Sequence, residues 1–314
     1  MAKIKASAFV TSALSRALHP GHLWRAAVLQ RNRKRDSRSH DDVQLKLYSE
    51  MLPGDFLHFG YFEDVDRLPE DMSLNEIAAA QNRYAELVLD QVVCRESPVL
   101  DVGCGMGGLC RMMLDRGMNP VALTPDRLQV AHVSRRFPGI QVIKSKFEKL
   151  PVADHVARYG TVITSESLQY LKLDQALPLL EQVLKPGGRW IACDYFYRQP
   201  TEEKSCHQWD AFNEKLTAAG WRVTHQREIT PNVVPTLRYV HMWATRFGIP
   251  LMQFVFVKFR KKNPGLHYVF ENVLAMLQKL ADENLPTIDP VAFAERHKYM
   301  LLVMERAISS SAPA

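Results

Sequence analysis

Four glycines fall within six positions of VLDVGCGMGGL (Val99–Leu109), at 103, 105, 107 and 108, in a chain of 314 residues that has fifteen in all. The run before them, PVLDVG, reads as a buried strand at 98–103. The run after them, LCRMMLDRG, has helical apolar spacing and closes at Gly117. Glycine suits backbone that must take positive φ or let another molecule approach closely. Strand, glycine loop and helix in that order therefore predict a ligand loop at the carboxyl end of a strand.

The surrounding chain continues the same alternation. Ser73 followed by Glu76 is a capping box, and Ile77, Ala80, Tyr84, Leu87 and Val88 form one apolar stripe, so a helix is expected over 74–93. NPVALT (119–124) is the second strand, with Thr124 as cap and Pro125 in the first turn of the next helix. IQVIKS, YGTVITSES and RWIACDYF read as strands three to five, with a helix at about 175–185 and a turn, KPGGR, at 185–189. Strands separated by single helices imply right-handed βαβ units, a sheet covered on both faces, and a ligand beyond the carboxyl ends of the strands. RVTHQREI (222–229) and YMLLVMERA (299–307) complete a seven-stranded sheet. The roughly seventy residues between them exceed an unstructured loop, and helical patterns at 235–247 and 267–282 make them an inserted helical cap, 233–296.

Charge is uneven. Residues 1–35 carry eight Lys or Arg and no acid, more than the whole net charge of +6. That basic arm, taken as 1–54, reads as an interfacial amphipathic helix, a transit peptide or a solvated arm. No apolar run approaches a membrane span; IPLMQFVFV (249–257) is the best. Five cysteines without zinc-finger spacing fit reduced thiols in a cytosol-like compartment, and no metal cluster is expected.

The loop spacing narrows the ligand. A dinucleotide fingerprint is G-x-G-x-x-G, whereas this chain reads D-x-G-x-G-x-G, with Asp101 two residues before the first glycine. An acid there faces the place of an anionic pyrophosphate and suits a cationic, phosphate-free ligand better.

Together VLDVGCGMGG, ALTPDRLQ, TSESLQYL and LKPGGRW make residues 55–230 resemble a class I S-adenosylmethionine (SAM) dependent methyltransferase. LHFGYFED (57–64) and the T-x-P-D form of the second motif are similar to the small-molecule and lipid type, the tocopherol, sterol and cyclopropane-fatty-acid enzymes. The resemblance implies a Rossmann-like seven-stranded sheet over 55–232 and 297–308. It also implies a SAM site made by Asp101, Gly103 and Gly105 at the methionine end, Thr124 near the ribose, Phe147 beside the adenine, and Ser165 and Glu166 at the floor. Two departures stand out: Thr124 replaces the usual acid after strand two, and Lys146, which cannot accept a hydrogen bond, sits where an adenine-binding Asp is common.

Methyl transfer asks the protein for alignment, a dry pocket and, where needed, a base. Glu166 and Tyr170 are the candidate carboxylate and phenol for the proton. His58 and Tyr61 are the candidate rings across the pocket, able to face a developing positive charge. Each has a plainer reading as a packing residue, and His225 and Cys104 are read as structural. The cap is rich in large apolar groups (Tyr239, Met242, Trp243, Phe254, Phe256) and is then basic in KFRKK (258–262), which predicts an apolar substrate or a lipid headgroup region as acceptor, while the eight cations of the arm predict peripheral contact with anionic membrane. Two other readings are a nucleic-acid methyltransferase, disfavoured because the N/D-P-P-Y type of loop is absent, and a SAM-fold protein that binds without catalysing.

Overall fold

The computed structural model describes residues 19–25, 28, 54–203 and 205–307. The basic arm therefore lies almost wholly outside the described residues. A seven-stranded sheet has the order β3-β2-β1-β4-β5-β7-β6. Its strands are β1 Val99–Val102, β2 Pro120–Thr124, β3 Gln141–Lys144, β4 Tyr159–Ser165, β5 Leu184–Tyr197, β6 Trp221–Glu228 and β7 His297–Arg306. The first five run parallel, and β7 inserts antiparallel between β5 and β6. The reversal of strand order lies beside β1, with β2 on one side and β4 on the other, so the crevice expected to take a ligand opens at the ends of β1 and β4.

The period of two along buried strands divides the core into two layers. Val99, Ile163, Ile191, Cys193, Leu301 and Val303 join a layer with helices α1 (Leu74–Leu89), α2 (Gly108–Asp115) and α6 (Thr230–Trp243). Their neighbours Leu100, Val102, Val162, Trp190, Ala192 and Leu302 face α4 (Leu173–Val183) and α5 (Trp209–Ala218).

The capping box forms as expected: Ser73 Oγ accepts from Glu76 N at 3.2 Å, and Glu76 accepts from Ser73 N at 2.8 Å. α1 ends at Leu89, short of 93. Two local expectations need correction. Helix α3 (Arg127–Arg136) is capped by Asp126, whose Oδ1 accepts from Gln129 N at 2.8 Å, because Thr124 is still in β2 and its hydroxyl is taken by Gln129. KPGGR is no separate turn: it bulges inside β5, the register jumping from Leu184 opposite Tyr159 to Arg189 opposite Thr161, with Gly187 at φ +75°.

The chain divides into two compact units, and they do not follow the expected cap boundaries. One holds residues 48–245 and 283–314, so α6 and α9 (Pro290–Arg296) belong with the sheet, where they pack on each other and on β7. The other holds 246–282, which include α7 (Ile249–Lys262) and most of α8 (Pro264–Asn284), together with residues near the start of the chain.

Candidate functional site

The glycine loop turns out of β1 by left-handed backbone at Gly103 (φ +83°), Gly105 (+54°) and Gly107 (+87°). At Gly103 a Cβ would come within 2.5 Å of Ser167 Cβ, so glycine is required there by packing as well. At Gly105 it would meet only Leu57, at 3.5 Å, an ordinary contact; the φ is what penalises a side chain, and the backbone stays approachable. Residues 55–59 lie over this loop. Gly108 N donates to Asp55 O at 3.2 Å, and Asp55 pairs with Arg136 at 3.1 Å.

Asp101, on β1, is buried with the Cys110 thiol at 3.2 Å as a hydrogen-bond donor. A thiol is a weak donor, and burial pushes the carboxyl up to about 6. Thr124 ends β2, its Oγ1 donating to Gln129 at 2.5 Å and accepting from Asp126 N at 3.2 Å. The ring of Phe147, on the turn after β3, is sealed in the α4-side core layer. Ser165 ends β4 and donates to the Tyr84 hydroxyl at 3.2 Å.

Glu166 follows β4 at φ +49°, a left-handed conformation that a side chain adopts at a cost of about 1–3 kcal/mol. Its Oε1 accepts from Phe59 N at 2.8 Å and from the Tyr299 hydroxyl at 2.6 Å. Tyr299 Oη lies 2.9 Å from Tyr84 Oη, and Tyr84 donates to Cys193 O at 3.0 Å. The walls are aromatic: Phe59 meets Phe293 edge-on at 5.9 Å and Tyr299 at 6.0 Å, and Tyr195 meets Phe293 at 5.6 Å. Burial pushes Glu166 up to about 7 against the lowering effect of its two donors. Asp194, buried beside it on β5, goes up to about 8 through burial and the Glu166 charge, although Tyr195 N donates to it at 2.8 Å. Two carboxyls so coupled lose their protons as a pair.

The candidate rings are disposed differently from expectation. His58 does join this cluster: it stacks on Tyr84 at 4.2 Å, Nδ1 lies 2.7 Å from Phe59 O, and burial lowers it to about 4, which keeps it neutral. Its Nε2 is buried with no protein partner among the described residues. Tyr61 is not brought to Glu166. Its hydroxyl accepts from Arg227 on β6 at 2.5 Å, and the guanidinium lies over the ring at 5.4 Å, so a cation already sits over one face of the ring. Tyr170 is 75% exposed, Tyr299 and Tyr84 are bonded into the Glu166 network, and the Tyr195 hydroxyl joins it through Gln169, which donates to Glu166 O.

The sequence did not single out Tyr299, Tyr84, Asp194 or Tyr195 as site residues. Tyr84 looked like one more apolar residue of a helical stripe, and Tyr299 stands 133 positions from Glu166, so local spacing carried no signal for either.

Comparison with known proteins agrees with this architecture. Residues 99–188 match the methyltransferase domain family. Sterol 4-C-methyltransferase strm-1 of Caenorhabditis elegans is 22% identical over 178 residues, 54% of this chain and 50% of that protein. A malonyl-[acyl-carrier protein] O-methyltransferase of Pseudescherichia vulneris is 30% identical over 118 residues, 37% of this chain and 46% of that protein. The chain thus spans about half the length of the curated relatives it matches. Among solved structures, geranyl diphosphate C-methyltransferase from Streptomyces coelicolor A3(2), held with Mg2+, geranyl diphosphate and S-adenosyl-L-homocysteine, superposes with TM-score 0.57 at 16% identity, covering 80% of this chain and 89% of that one. The [4+2]-cyclase SpnF gives 0.62 at 18%, covering 87% and 95%. By its sheet order and its glycine loop the chain has the class I methyltransferase fold, and within it residues 99–188 match the methyltransferase domain family.

Proposed function

We propose that the chain is a SAM-dependent methyltransferase acting at carbon or oxygen of a small, apolar acceptor. The observation that carries this reading is Glu166: a carboxylate in an aromatic enclosure, at the end of the strand next to the one that bears the glycine loop.

The residues present fit SAM. Asp101 is a buried carboxylate whose bonded donor is a thiol, and Gly105 leaves approachable backbone beside it, a combination suited to a cationic ligand without phosphate. Asp101, Gly103 and Gly105 would hold the methionine end, Thr124 and Ser165 the ribose side and floor, and Phe147 would act through the turn its buried ring anchors. SAM supplies a methyl group already activated on sulfur. Glu166 then serves as the base that takes the proton the acceptor loses, its carboxyl held near neutrality where a base works well at ordinary pH. Tyr299, pushed well above the usual phenol range, stays protonated, donates to Oε1 and fixes the carboxylate's orientation. Phe59, Tyr195 and Phe293 exclude water, and their ring faces suit a positive charge developing on the acceptor. Tyr170 remains a candidate for acceptor contact from the exposed side.

The aromatic lining supports an apolar acceptor, and the sterol and acyl-carrier relatives are consistent with a lipid-like class. In this reading 55–232 and 297–308 bind SAM, the insertion 233–296 faces the acceptor through α6 and α9, and the basic arm, 1–54, gives peripheral contact with anionic membrane. Incubating the protein with methyl-labelled SAM and separated apolar and polar cell extracts tests the proposal: label is expected in the apolar fraction. Tight SAM binding without label in any fraction would favour binding without methyl transfer, a reading kept in view by a [4+2]-cyclase on this fold.

A further inference from the structure

Helices α7 and α8 contain no buried residue. On α7, Leu251, Phe254 and Val255 recur at helical spacing with Lys258 and are all exposed, Phe254 at 57%. On α8, Val269, Val273, Met276 and Leu277 form a second exposed stripe, and Tyr268 near its start is 79% exposed. Exposed apolar surface of this extent marks an interaction site. Charge says which kind. Positions 258–262 hold four cations (Lys258, Arg260, Lys261, Lys262), and no acid occurs from 246 to 270. Lys258 Nζ sits 5.3 Å from the Phe254 ring centroid, its stem along apolar surface and its ammonium at the rim. No described helix is long and apolar enough to cross a membrane.

We propose that α7 and α8 form a bilayer-docking surface that lays its apolar stripes into the interface of an anionic membrane, with Lys258, Arg260, Lys261 and Lys262 among the headgroups. A second copy of the chain is the weaker occupant, because pairing like surfaces would bring these four cations against four more. Apolar area and basic residues together give interfacial binding, and each cation near an anionic surface strengthens it about fivefold. The inference needs neither SAM binding nor turnover and assigns membrane contact to residues of α7 and α8 in addition to the arm.

The test is co-sedimentation of the full chain with phosphatidylcholine vesicles, with and without phosphatidylglycerol, at rising sodium chloride. Binding is expected only with phosphatidylglycerol, weakening with salt. Replacing Lys258, Arg260, Lys261 and Lys262 by Gln should lower affinity by about a hundredfold or more. Leu251→Ser with Phe254→Ser should weaken binding with every charge retained. These side chains are exposed, so the thermal melt should not move; should a variant unfold, the salt and lipid dependence of the unaltered chain still judges the proposal. Equal binding to both vesicles, wild-type affinity in the Gln variant, or a concentration-dependent dimer broken by Phe254→Ser in a chain that ignores vesicles would each overturn it.

Discussion

The glycine loop and the Glu166 enclosure stand at the ends of adjacent strands, and they are built in opposite ways. The loop's parts are neighbours in sequence: Asp101 takes its thiol donor from Cys110, and Thr124 is engaged by Gln129 and Asp126. The enclosure gathers Phe59, Tyr84, Cys193 and Tyr299 around one carboxylate, and the bonds Phe59–Glu166, Tyr84–Cys193 and Tyr299–Glu166 each join residues more than a hundred positions apart. In the proposed function, local construction suits recognition of an invariant cofactor, while the enclosure proposed for the acceptor is assembled from several elements, each of which can vary while the loop stays as it is.

If that division holds, Gly105→Val should strike the first region alone. A side chain at φ +54° strains the loop and enters the approachable face, so SAM affinity should fall by about a thousandfold in calorimetry while the melt of the sheet domain stays near wild type. Glu166→Gln is the reciprocal change: kcat should drop by about a hundredfold with the SAM Kd within a few-fold. A parallel loss of both would merge the two regions into one.

Tyr299→Phe sharpens the comparison inside the second region. Losing its hydroxyl should lower kcat by about tenfold and move the alkaline-going midpoint of the pH–rate profile upward, because the Tyr299 hydrogen bond holds the Glu166 carboxyl down. Tyr170→Phe, at an exposed site, should cost less; an equal or larger loss would bring that phenol into the chemistry.

The two regions should also differ in pH response. Asp101, raised to about 6, must be ionised to meet a cation, so SAM affinity should be steady above pH 7 and fall by about tenfold by pH 5. The coupled pair Glu166 and Asp194 acts on stability instead. Their folded values of about 7 and 8 lie above ordinary carboxyl values, so the stability they contribute is present in acid and lost as pH rises from about 4 through 8. Asp194→Asn should flatten that decline in Tm, the smallest effect of the set, readable by calorimetry at pH 5 and pH 8.

The sheet was legible because buried strands and amphipathic helices repeat at periods of 2 and 3.6, and all seven strands lie within a few residues of their expected positions. The capping box at Ser73 and the glycine loop were legible for the same reason, since each is made by residues a turn apart. Where two local choices compete, the larger structure decided. Asp126 rather than Thr124 caps α3 because sheet pairing extends β2 through Thr124 opposite Lys144. The expected cap was divided, α6 and α9 joining the sheet because they bury Val233, Leu237 and Phe293 there, while α7 and α8 bury nothing. By itself the sequence determined the order of elements, the loop and its preference for a cation, all consequences of short-range backbone geometry. Only the tertiary structure decided that Tyr299 bonds Glu166, that Tyr61 turns to Arg227, and that burial raises two carboxyls toward neutrality. Burial and the pairing of residues a hundred positions apart are properties of the packed chain and leave no period in its sequence.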